Sequence, residues 1–276
     1  MARTLPPVVH EKQIRPLKAM LLAPFSARYR RQFAQRHLSQ AEQAFLRHSI
    51  MTGDRVFLFA KNSKAACTTL AQMLVEYATG RVLGDEHAAH RPQEGLYYGF
   101  DGLHWRELHA AWHRLPEGGA PVRFSCVRHP VDRFVSCYRY FFEKGARPGR
   151  KHIAPMKARG FDPEGDRARN MEIFADYVAE AIAEAPAICD PHFREQHRNV
   201  GHGLVELDVL GRLENFRPFL EELFETAGRS AHLERLKSLE RVFNRSGTDK
   251  PEIPAHLRRR IRDIYERDFT LFSYEP

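Results

Sequence analysis

The clearest signal for the fold class lies in residues 55–79, RVFLFAKNSKAACTTLAQMLVEYAT. After Arg55 this stretch begins with a short apolar run rich in aromatic and β-branched residues, which is typical of a buried parallel strand. A polar turn follows, and from Cys67 onward apolar residues recur at helical spacing. The stretch is therefore predicted to form a strand, a polar loop and a helix, which is half of a βαβ unit.

A second stretch, PVRFSCVRHPVDRFVSCYRYF at residues 121–141, repeats this pattern. A buried strand is predicted over Pro121–Val127, and a helix is predicted from Pro130, because proline suits the first turn of a helix. A third strand is predicted over Leu204–Leu210, followed by a helix over Glu214–Phe224, and an amphipathic helix closes the chain. Strands that alternate with helices predict an α/β fold with a central parallel β-sheet flanked by helices.

The remaining segments have weaker patterns. Residues 1–54 are predicted to be a basic, helical N-terminal flank in which Ser39 and Glu42 form a capping box. Residues 80–119 are expected to form loops and short helices, with one candidate helix over residues 104–113. Residues 144–169 carry eight basic and three acidic side chains and are interpreted as a basic loop. Asn170 is predicted to cap the helix that follows.

Composition bounds the class of protein. A chain of 276 residues suits one α/β core, and a net charge of +8 favours an anionic partner: nucleic acid, a nucleotide, a membrane surface or an acidic polymer. No apolar run approaches the roughly 18 to 20 residues that span a bilayer, and the N-terminus lacks the apolar core of a signal peptide, so a cytoplasmic protein is expected. The four cysteines lie far apart without a CxxC pair, so neither a zinc site nor a disulfide framework is expected.

The loop between the first strand and its helix has the composition of a phosphate site. It places Lys64, two hydroxyl groups and small residues at a helix N-terminus, where unpaired N–H groups and the helix dipole favour an anion. Ala65 and Ala66 allow a close approach of the backbone. The loop is not a Walker A motif, because GxxxxGK[ST] is absent and no glycine occurs between Gly53 and Gly80. A kinase is therefore disfavoured.

Two motifs carry a resemblance to a known family. The segment SKAACTT, residues 63–69, resembles the 5'-phosphosulfate loop PKxGCTS of the sulfotransferases that use 3'-phosphoadenosine-5'-phosphosulfate (PAPS), in particular the carbohydrate sulfotransferases. Ser63 stands where that family usually has proline, and Ala66 where it usually has glycine. The segment RHPVDRFVSCY, residues 128–138, resembles the family's RxPxxRxxSxY motif, in which arginine and serine bind the 3'-phosphate.

Three further segments extend the resemblance from Arg55 to Tyr274. Residues 190–196 (DPHFREQ) resemble the family's DxHWxPQ element, residues 209–216 (VLGRLENF) resemble VGRxENF, and residues 265–274 (YERDFTLFSY) resemble YxxDFxxFxY. The resemblance implies that residues 55–276 form a sulfotransferase domain with a P-loop NTPase-like fold. It also implies transfer of a sulfuryl group from PAPS to a hydroxyl group, expected to be on a carbohydrate.

The resemblance also implies roles for single residues. Sulfuryl transfer, like phosphoryl transfer, is in line and has a loose transition state, so Lys64 is expected to neutralise charge on the leaving oxygen. No metal is expected to be required. The residues expected to bind PAPS are Lys64, Ala65, Ala66, Cys67, Thr68, Thr69, Arg128 and Ser136.

The acceptor hydroxyl needs a general base, and neutral histidine suits this task near pH 7. The resemblance favours His104, because related glycan sulfotransferases have a basic histidine at roughly this distance before the strand that leads to the 3'-phosphate motif. His192 comes second, and His87 or His90 third. The expected partner is a glycan or another hydroxyl-bearing acceptor, and no nucleic acid partner is expected. Two interpretations of the basic segment 144–169 stay open: it holds an anionic sugar acceptor, or it is a solvated loop. Two other readings stay open: a non-catalytic module that binds a nucleotide or polyanion, and a nucleotide-dependent kinase.

Overall fold

The computed structural model describes residues 5–10, 16–26, 29, 33, 35–99, 104–113, 120–236, 239 and 253–275. The chain divides into two compact units, which are described separately. The sheet unit comprises residues 12–127 and 198–248, and the helical unit comprises residues 1–11, 128–197 and 249–276.

The helices and strands follow one another along the described chain in this order. They are α1 (Pro16–Leu22), α2 (Gln40–Arg47), β1 (Ser49–Thr52), β2 (Phe57–Ala60), α3 (Cys67–Thr79), β3 (Leu96–Tyr98), α4 (Trp105–Trp112), β4 (Val122–Val127), α5 (Pro130–Tyr138), α6 (Arg150–Ala158), α7 (Arg167–Glu184), α8 (Gln196–Asn199), β5 (Val209–Arg212), α9 (Phe216–Thr226), α10 (Ser230–Leu233), α11 (Ala255–Ile264) and α12 (Glu266–Leu271).

The sheet has five strands in the order β3-β1-β2-β4-β5. The pairs β2–β4 and β4–β5 are parallel, as the alternation of strands and helices predicted. β1 is antiparallel to both of its neighbours, so it alone runs against the other strands of this sheet. The prediction of an α/β fold around a central sheet flanked by helices is confirmed, but the sheet is only mostly parallel, and neither β1 nor β3 was predicted.

Alternation along β2 gives the sheet two buried faces. Phe57 and Phe59 face a cluster that includes residues of α3 and α9, whereas Leu58 and Ala60 face a cluster that includes residues of α2 and α4. All four side chains are at most 1% exposed. A strand buried on both faces reads as a continuous apolar run, which is why this strand was visible in the sequence.

Several predicted elements need correction. The third strand lies at Val209–Arg212 and not at Leu204–Leu210, because residues 201–208 form turns and a single bridge between His202 and Val205. The segment 144–169 is not a loop throughout, since it contains a 3-10 turn over Arg147–Gly149 and helix α6. Its glycines and prolines suggested a loop, but Pro155 lies inside α6.

Helix α7 begins four residues earlier than expected, and Asp166, not Asn170, is its cap. The Asp166 side chain accepts a hydrogen bond from the Arg169 N–H. Asn170 is buried inside the helix, where its side-chain nitrogen donates to the carbonyl of Asp162. The capping box of α2 is confirmed, with Ser39 Oγ accepting from the Glu42 N–H and Glu42 Oε2 accepting from the Ser39 N–H.

The helical unit has its own core. Helices α5, α7 and α11 bury their apolar faces together, and aromatic side chains dominate the contact, as in the Phe134–Phe174 pair with ring centroids 5.1 Å apart. A five-residue π-helical turn, Arg139–Glu143, continues α5. Among the helices that the structure describes, none is both long enough and apolar enough to cross a membrane.

Candidate functional site

The loop that joins β2 to α3, residues 61–66 and here called the Lys64 loop, has an unusual backbone. Lys64 has a φ of 68° and Ala66 a φ of 56°, in the left-handed region that costs a residue with a Cβ about 1–2 kcal/mol. Ala65 between them does not have a positive φ. Alternation of this kind turns successive backbone N–H groups toward one concavity, which binds anions. Strain of this type is often retained at functional sites.

A buried asparagine holds the Lys64 loop against the sheet. Asn62 has no solvent exposure, and its Nδ2 donates to the carbonyl of Cys126 in β4 over 3.0 Å. The Asn62 Oδ1 accepts from Asn199 Nδ2 over 3.0 Å. Ser125 Oγ donates to the carbonyl of Ala60 over 2.6 Å, so the carboxyl ends of β2 and β4 are joined by side chains as well as by the strand ladder.

Helix α3 starts from this loop with an open N-terminus. Its N-cap is Ala66, whose side chain provides no oxygen to the first N–H groups of the helix. The side chains of Cys67, Thr68 and Thr69 are all partly exposed at this end, as is that of Lys64, whereas Leu70 is buried. Unpaired N–H groups, two hydroxyls and a lysine at the end of a 13-residue helix form a site suited to an oxyanion.

Two neighbours modify the Lys64 loop. Burial lowers the pKa of Lys61, the first residue of the loop, below its usual value. The Thr68 hydroxyl lies 3.0 Å from His90 Nε2, and His90 closes the 3-10 turn Glu86–His90 that also contains His87. His90 is therefore tied to a hydroxyl of the predicted phosphate site.

In the helical unit, both backbone groups of Arg128 are held by one glutamine side chain. Gln196 Oε1 accepts from the Arg128 N–H over 2.9 Å, and Gln196 Nε2 donates to the Arg128 carbonyl over 2.7 Å. Gln196 is fully buried, whereas Arg128 is partly exposed. The backbone of Arg128 is therefore fixed, while the residue as a whole stays partly exposed.

Gln196 is itself positioned by Asp268, a buried carboxylate in α12. Asp268 Oδ2 accepts from the Gln196 N–H over 2.7 Å, and Asp268 Oδ1 accepts from the His197 N–H over 2.9 Å. His197 Nδ1 also lies 2.9 Å from Asp268 Oδ1. A chain of hydrogen bonds thus runs from α12 through the start of α8 to the backbone of Arg128.

Ser136 lies on α5, which begins at Pro130 two residues after Arg128. Its side chain is partly exposed, while the neighbouring Val135 and Cys137 are buried. Arg133 on the same helix is buried, and its Nη2 donates to the carbonyl of Pro191 over 2.9 Å, so it has a structural contact within the unit.

His192 is oriented by a carboxylate. His192 Nδ1 lies 2.7 Å from Asp190 Oδ1, and the His192 N–H donates to the same oxygen over 3.0 Å. The His192 side chain is 22% exposed, whereas that of Asp190 is 2% exposed. A carboxylate at Nδ1 fixes the tautomer with the proton on Nδ1, which makes Nε2 the basic nitrogen.

Two further groups, Lys151 and His152, help His192 to keep Asp190 ionised. Lys151 Nζ and His152 Nε2 lie 2.6 Å and 3.1 Å from Asp190 Oδ2. Burial raises the pKa of Asp190, but His192, His152 and Lys151 together hold this pKa well below its usual value. Burial lowers the pKa of His152, and Tyr177 OH lies 2.8 Å from its Nδ1, so a neutral His152 can donate its Nε2 proton to Asp190.

His104 has a simpler environment. It is the N-cap residue of α4, its side chain makes no capping hydrogen bond, and its ring packs edge-on against Tyr97 with centroids 4.8 Å apart. It is partly exposed.

Lys64, Arg128 and Ser136 were predicted from the sequence to bind PAPS. The residues that form hydrogen bonds to their segments were not predicted. Asn62, Asn199 and Ser125 were missed. Gln196 and Asp268 stood in the quoted motifs without a role. A buried polar residue beside a functional one is a signal for such support, but its partner cannot be read from one sequence.

Comparison with known proteins gives one finding. A family model described as the sulfotransferase family matches residues 47–275, which is most of the chain. Searches among curated proteins and among solved structures give no significant match.

Proposed function

The chain belongs to the sulfotransferase family, and we propose that it transfers a sulfuryl group from PAPS to a hydroxyl group of a carbohydrate. The family match supports sulfuryl transfer in general. The observation that carries the choice of donor is the Lys64 loop, where a strained backbone and an open helix N-terminus form a site for an oxyanion.

The Lys64 loop binds the 5'-phosphosulfate group of the donor in this proposal. The acceptor oxygen attacks sulfur, the bond from sulfur to the bridging oxygen of the 5'-phosphate breaks, and 3'-phosphoadenosine-5'-phosphate (PAP) leaves. Lys64 neutralises the charge that grows on the bridging oxygen. The N–H groups and hydroxyls of Thr68 and Thr69 hold the 5'-phosphate. These steps need positioning and charge, and no step is assigned to a metal.

Arg128 and Ser136 bind the 3'-phosphate of the donor in this proposal. An arginine donates two parallel hydrogen bonds to a phosphate, and a serine hydroxyl adds a third donor. The clamp by Gln196 supports this role, because a fixed backbone reduces the freedom that the Arg128 side chain loses when it binds.

We propose His192 as the general base, with Nε2 receiving the proton of the acceptor hydroxyl. Its support is the 2.7 Å contact between Nδ1 and the ionised Asp190, which stabilises the imidazolium formed when the proton arrives. His104 is the competing candidate, and among the described residues its ring contacts Tyr97 but no carboxylate.

The segment 144–169 supports an anionic acceptor. Four of its basic side chains are in ion pairs: Lys151, Arg159, Arg167 and Arg169. Four others are exposed and have no ion-pair partner among the residues that the structure describes: Lys144, Arg147, Arg150 and Lys157. Exposed cations raise the local concentration of a polyanion such as a sulfated or uronic-acid-bearing glycan.

The experiment is transfer of labelled sulfate from PAPS to a panel of neutral and acidic glycans, with ATP and Mg²⁺ as the alternative donor. The proposal expects labelled glycan with PAPS alone and faster transfer to the acidic members. His192→Asn is expected to lower kcat by about 100-fold or more, while His104→Asn stays near wild type. Binding of polyanions with no transfer, or turnover of ATP only, would refute the proposal.

A further inference from the structure

One cluster of potential metal ligands lies outside every role proposed above. Glu42 on α2, His109 on α4 and His113, which caps α4, each direct one ligand atom into a group whose members all lie within 4.8 Å of one another. All three residues belong to the sheet unit.

The local structure explains why these groups meet. His109 and His113 are four residues apart, so they lie on one face of the helix with ring centroids 4.5 Å apart. Helices α2 and α4 are packed through Phe45 and Trp112, whose ring centroids are 4.8 Å apart. This contact sets Glu42 opposite the histidine pair.

The carboxylate is held in place before any ion arrives. Glu42 Oε2 accepts from the Ser39 N–H over 2.7 Å in the capping box of α2. Hydrogen bonds from Ser39 lower the pKa of Glu42, and His109 and His113 lower it further, so the group is ionised near neutral pH. A carboxylate that is already fixed loses less entropy on binding a cation.

The two histidines also suit coordination. His109 is partly exposed and His113 is exposed, so an ion can reach both rings from solvent. Neutral imidazole offers a nitrogen lone pair and is a common metal ligand.

We propose that Glu42, His109 and His113 form a binding site for a divalent transition metal ion of the zinc class. Two imidazoles four residues apart on a helix, with a carboxylate, are a ligand set that Zn²⁺ takes, whereas Mg²⁺ and Ca²⁺ prefer oxygen ligands. In a tetrahedral zinc site, ligand atoms lie about 3.3–3.5 Å apart. Small side-chain rotations would bring the three ligand atoms, now within 4.8 Å of one another, to these distances. The ion would join α2 to α4, and this inference does not rest on the choice of PAPS as donor.

The test is a titration of the metal-free full chain with Zn²⁺, followed by a competing chromophoric chelator and by thermal unfolding. One equivalent of bound Zn²⁺ is expected, and at 100-fold excess over the dissociation constant the Tm rises by about 5 °C or more. Co²⁺ in place of Zn²⁺ is expected to give the visible absorption of a tetrahedral nitrogen and oxygen site. Mg²⁺ is expected to give no shift.

Three variants and one control complete the test. His109→Gln and His113→Gln are each expected to weaken Zn²⁺ binding at least tenfold, and Glu42→Gln does the same while it keeps a capping-box side chain. His202→Gln, an exposed histidine of the same unit, is the matched control and leaves binding unchanged. No saturable equivalent in the wild type, or equal binding in the His109→Gln/His113→Gln double variant, would overturn the proposal. If a variant fails to fold, the wild-type Co²⁺ spectrum remains as the test: tetrahedral absorption supports the site, and its absence overturns the proposal.

Discussion

The Lys64 loop and the segment that carries Arg128 both follow a strand of the same sheet, yet they are held by different means. The Lys64 loop depends on local backbone strain and on one buried residue, Asn62, that reaches the neighbouring strand. Arg128 depends on Gln196, which lies 68 residues away in sequence, and on Asp268, which is a further 72 residues away. Both segments are held by hydrogen bonds to distant residues, but Asn62 belongs to the Lys64 loop itself, whereas Gln196 and Asp268 lie outside the segment that carries Arg128.

This difference has a consequence for mutation. A change in the Lys64 loop acts on the site directly, through the residue that touches the nucleotide or through its φ. A change in the support of Arg128 acts through another side chain, so it is expected to alter the affinity for PAPS more than the chemical step.

The largest effect is expected from loss of the Lys64 ammonium. Lys64→Ala is expected to lower the rate of sulfuryl transfer about 100- to 1,000-fold, because removal of one preorganised group that stabilises leaving-group charge costs on the order of 3–4 kcal/mol. Initial rates with saturating PAPS measure this. Lys18→Ala, at an exposed lysine on α1, is the control and keeps the wild-type rate. Wild-type turnover in Lys64→Ala would remove the Lys64 loop from the chemistry.

A smaller effect is expected from loss of the clamp on Arg128. Gln196→Ala leaves the partly buried N–H and carbonyl of Arg128 without this partner, which costs on the order of 1 kcal/mol, and the KM for PAPS is expected to rise several-fold while kcat changes less. Steady-state kinetics with PAPS as the varied substrate separates the two constants.

Gln43→Ala is the matched control for that clamp. Gln43 also donates to backbone carbonyls, those of Leu38 and Gln35, but in the sheet unit. It is expected to lower the Tm without a change in the KM for PAPS. Equal KM effects in the two variants would show that general loss of stability, and not the position of Arg128, explains the result.

The smallest effect is expected at Ala66. Its φ of 56° is strained for alanine and free of strain for glycine, so Ala66→Gly is expected to raise the free energy of unfolding by about 0.5 kcal/mol after the added flexibility of the unfolded chain is subtracted. Ala66→Val is expected to destabilise the protein by more than 1 kcal/mol and to weaken PAPS binding, since a β-branched residue fits this region worst. Denaturant unfolding measures both, and a more stable Ala66→Val variant would contradict the assigned backbone.

Much of the fold could be predicted because its signals are local. Helix α3 occupies residues 67–79 as its apolar spacing predicted, and the capping box at Ser39 is present. Strand β1 was missed because the four residues SIMT are too few to show a period, and β3 has only three. The short strand β5 was misplaced because apolar residues precede it in a turn region.

The site residues also divide into those that local sequence motifs predict and those that only the folded chain brings together. Lys64 and Arg128 were found because they follow buried strands in motifs that can be read along the chain. The Asp190–His192 contact spans two residues, but its importance depends on Lys151 and His152, which only the folded chain brings to the same carboxylate. Hydrogen bonds between distant segments set the geometry of the helical unit, and periodicity carries no information about them.

The role of Arg128 in binding the 3'-phosphate can be measured by titration calorimetry. The ligands are PAP and adenosine 5'-monophosphate, and the proteins are the wild type and Arg128→Ala. The two ligands differ only in the 3'-phosphate. The account predicts that the wild type binds PAP on the order of 100-fold more tightly and that Arg128→Ala loses most of this preference, since a charged bidentate contact contributes about 1.5–3 kcal/mol. Equal affinity for the two nucleotides in the wild type, or an unchanged preference in Arg128→Ala, would contradict it.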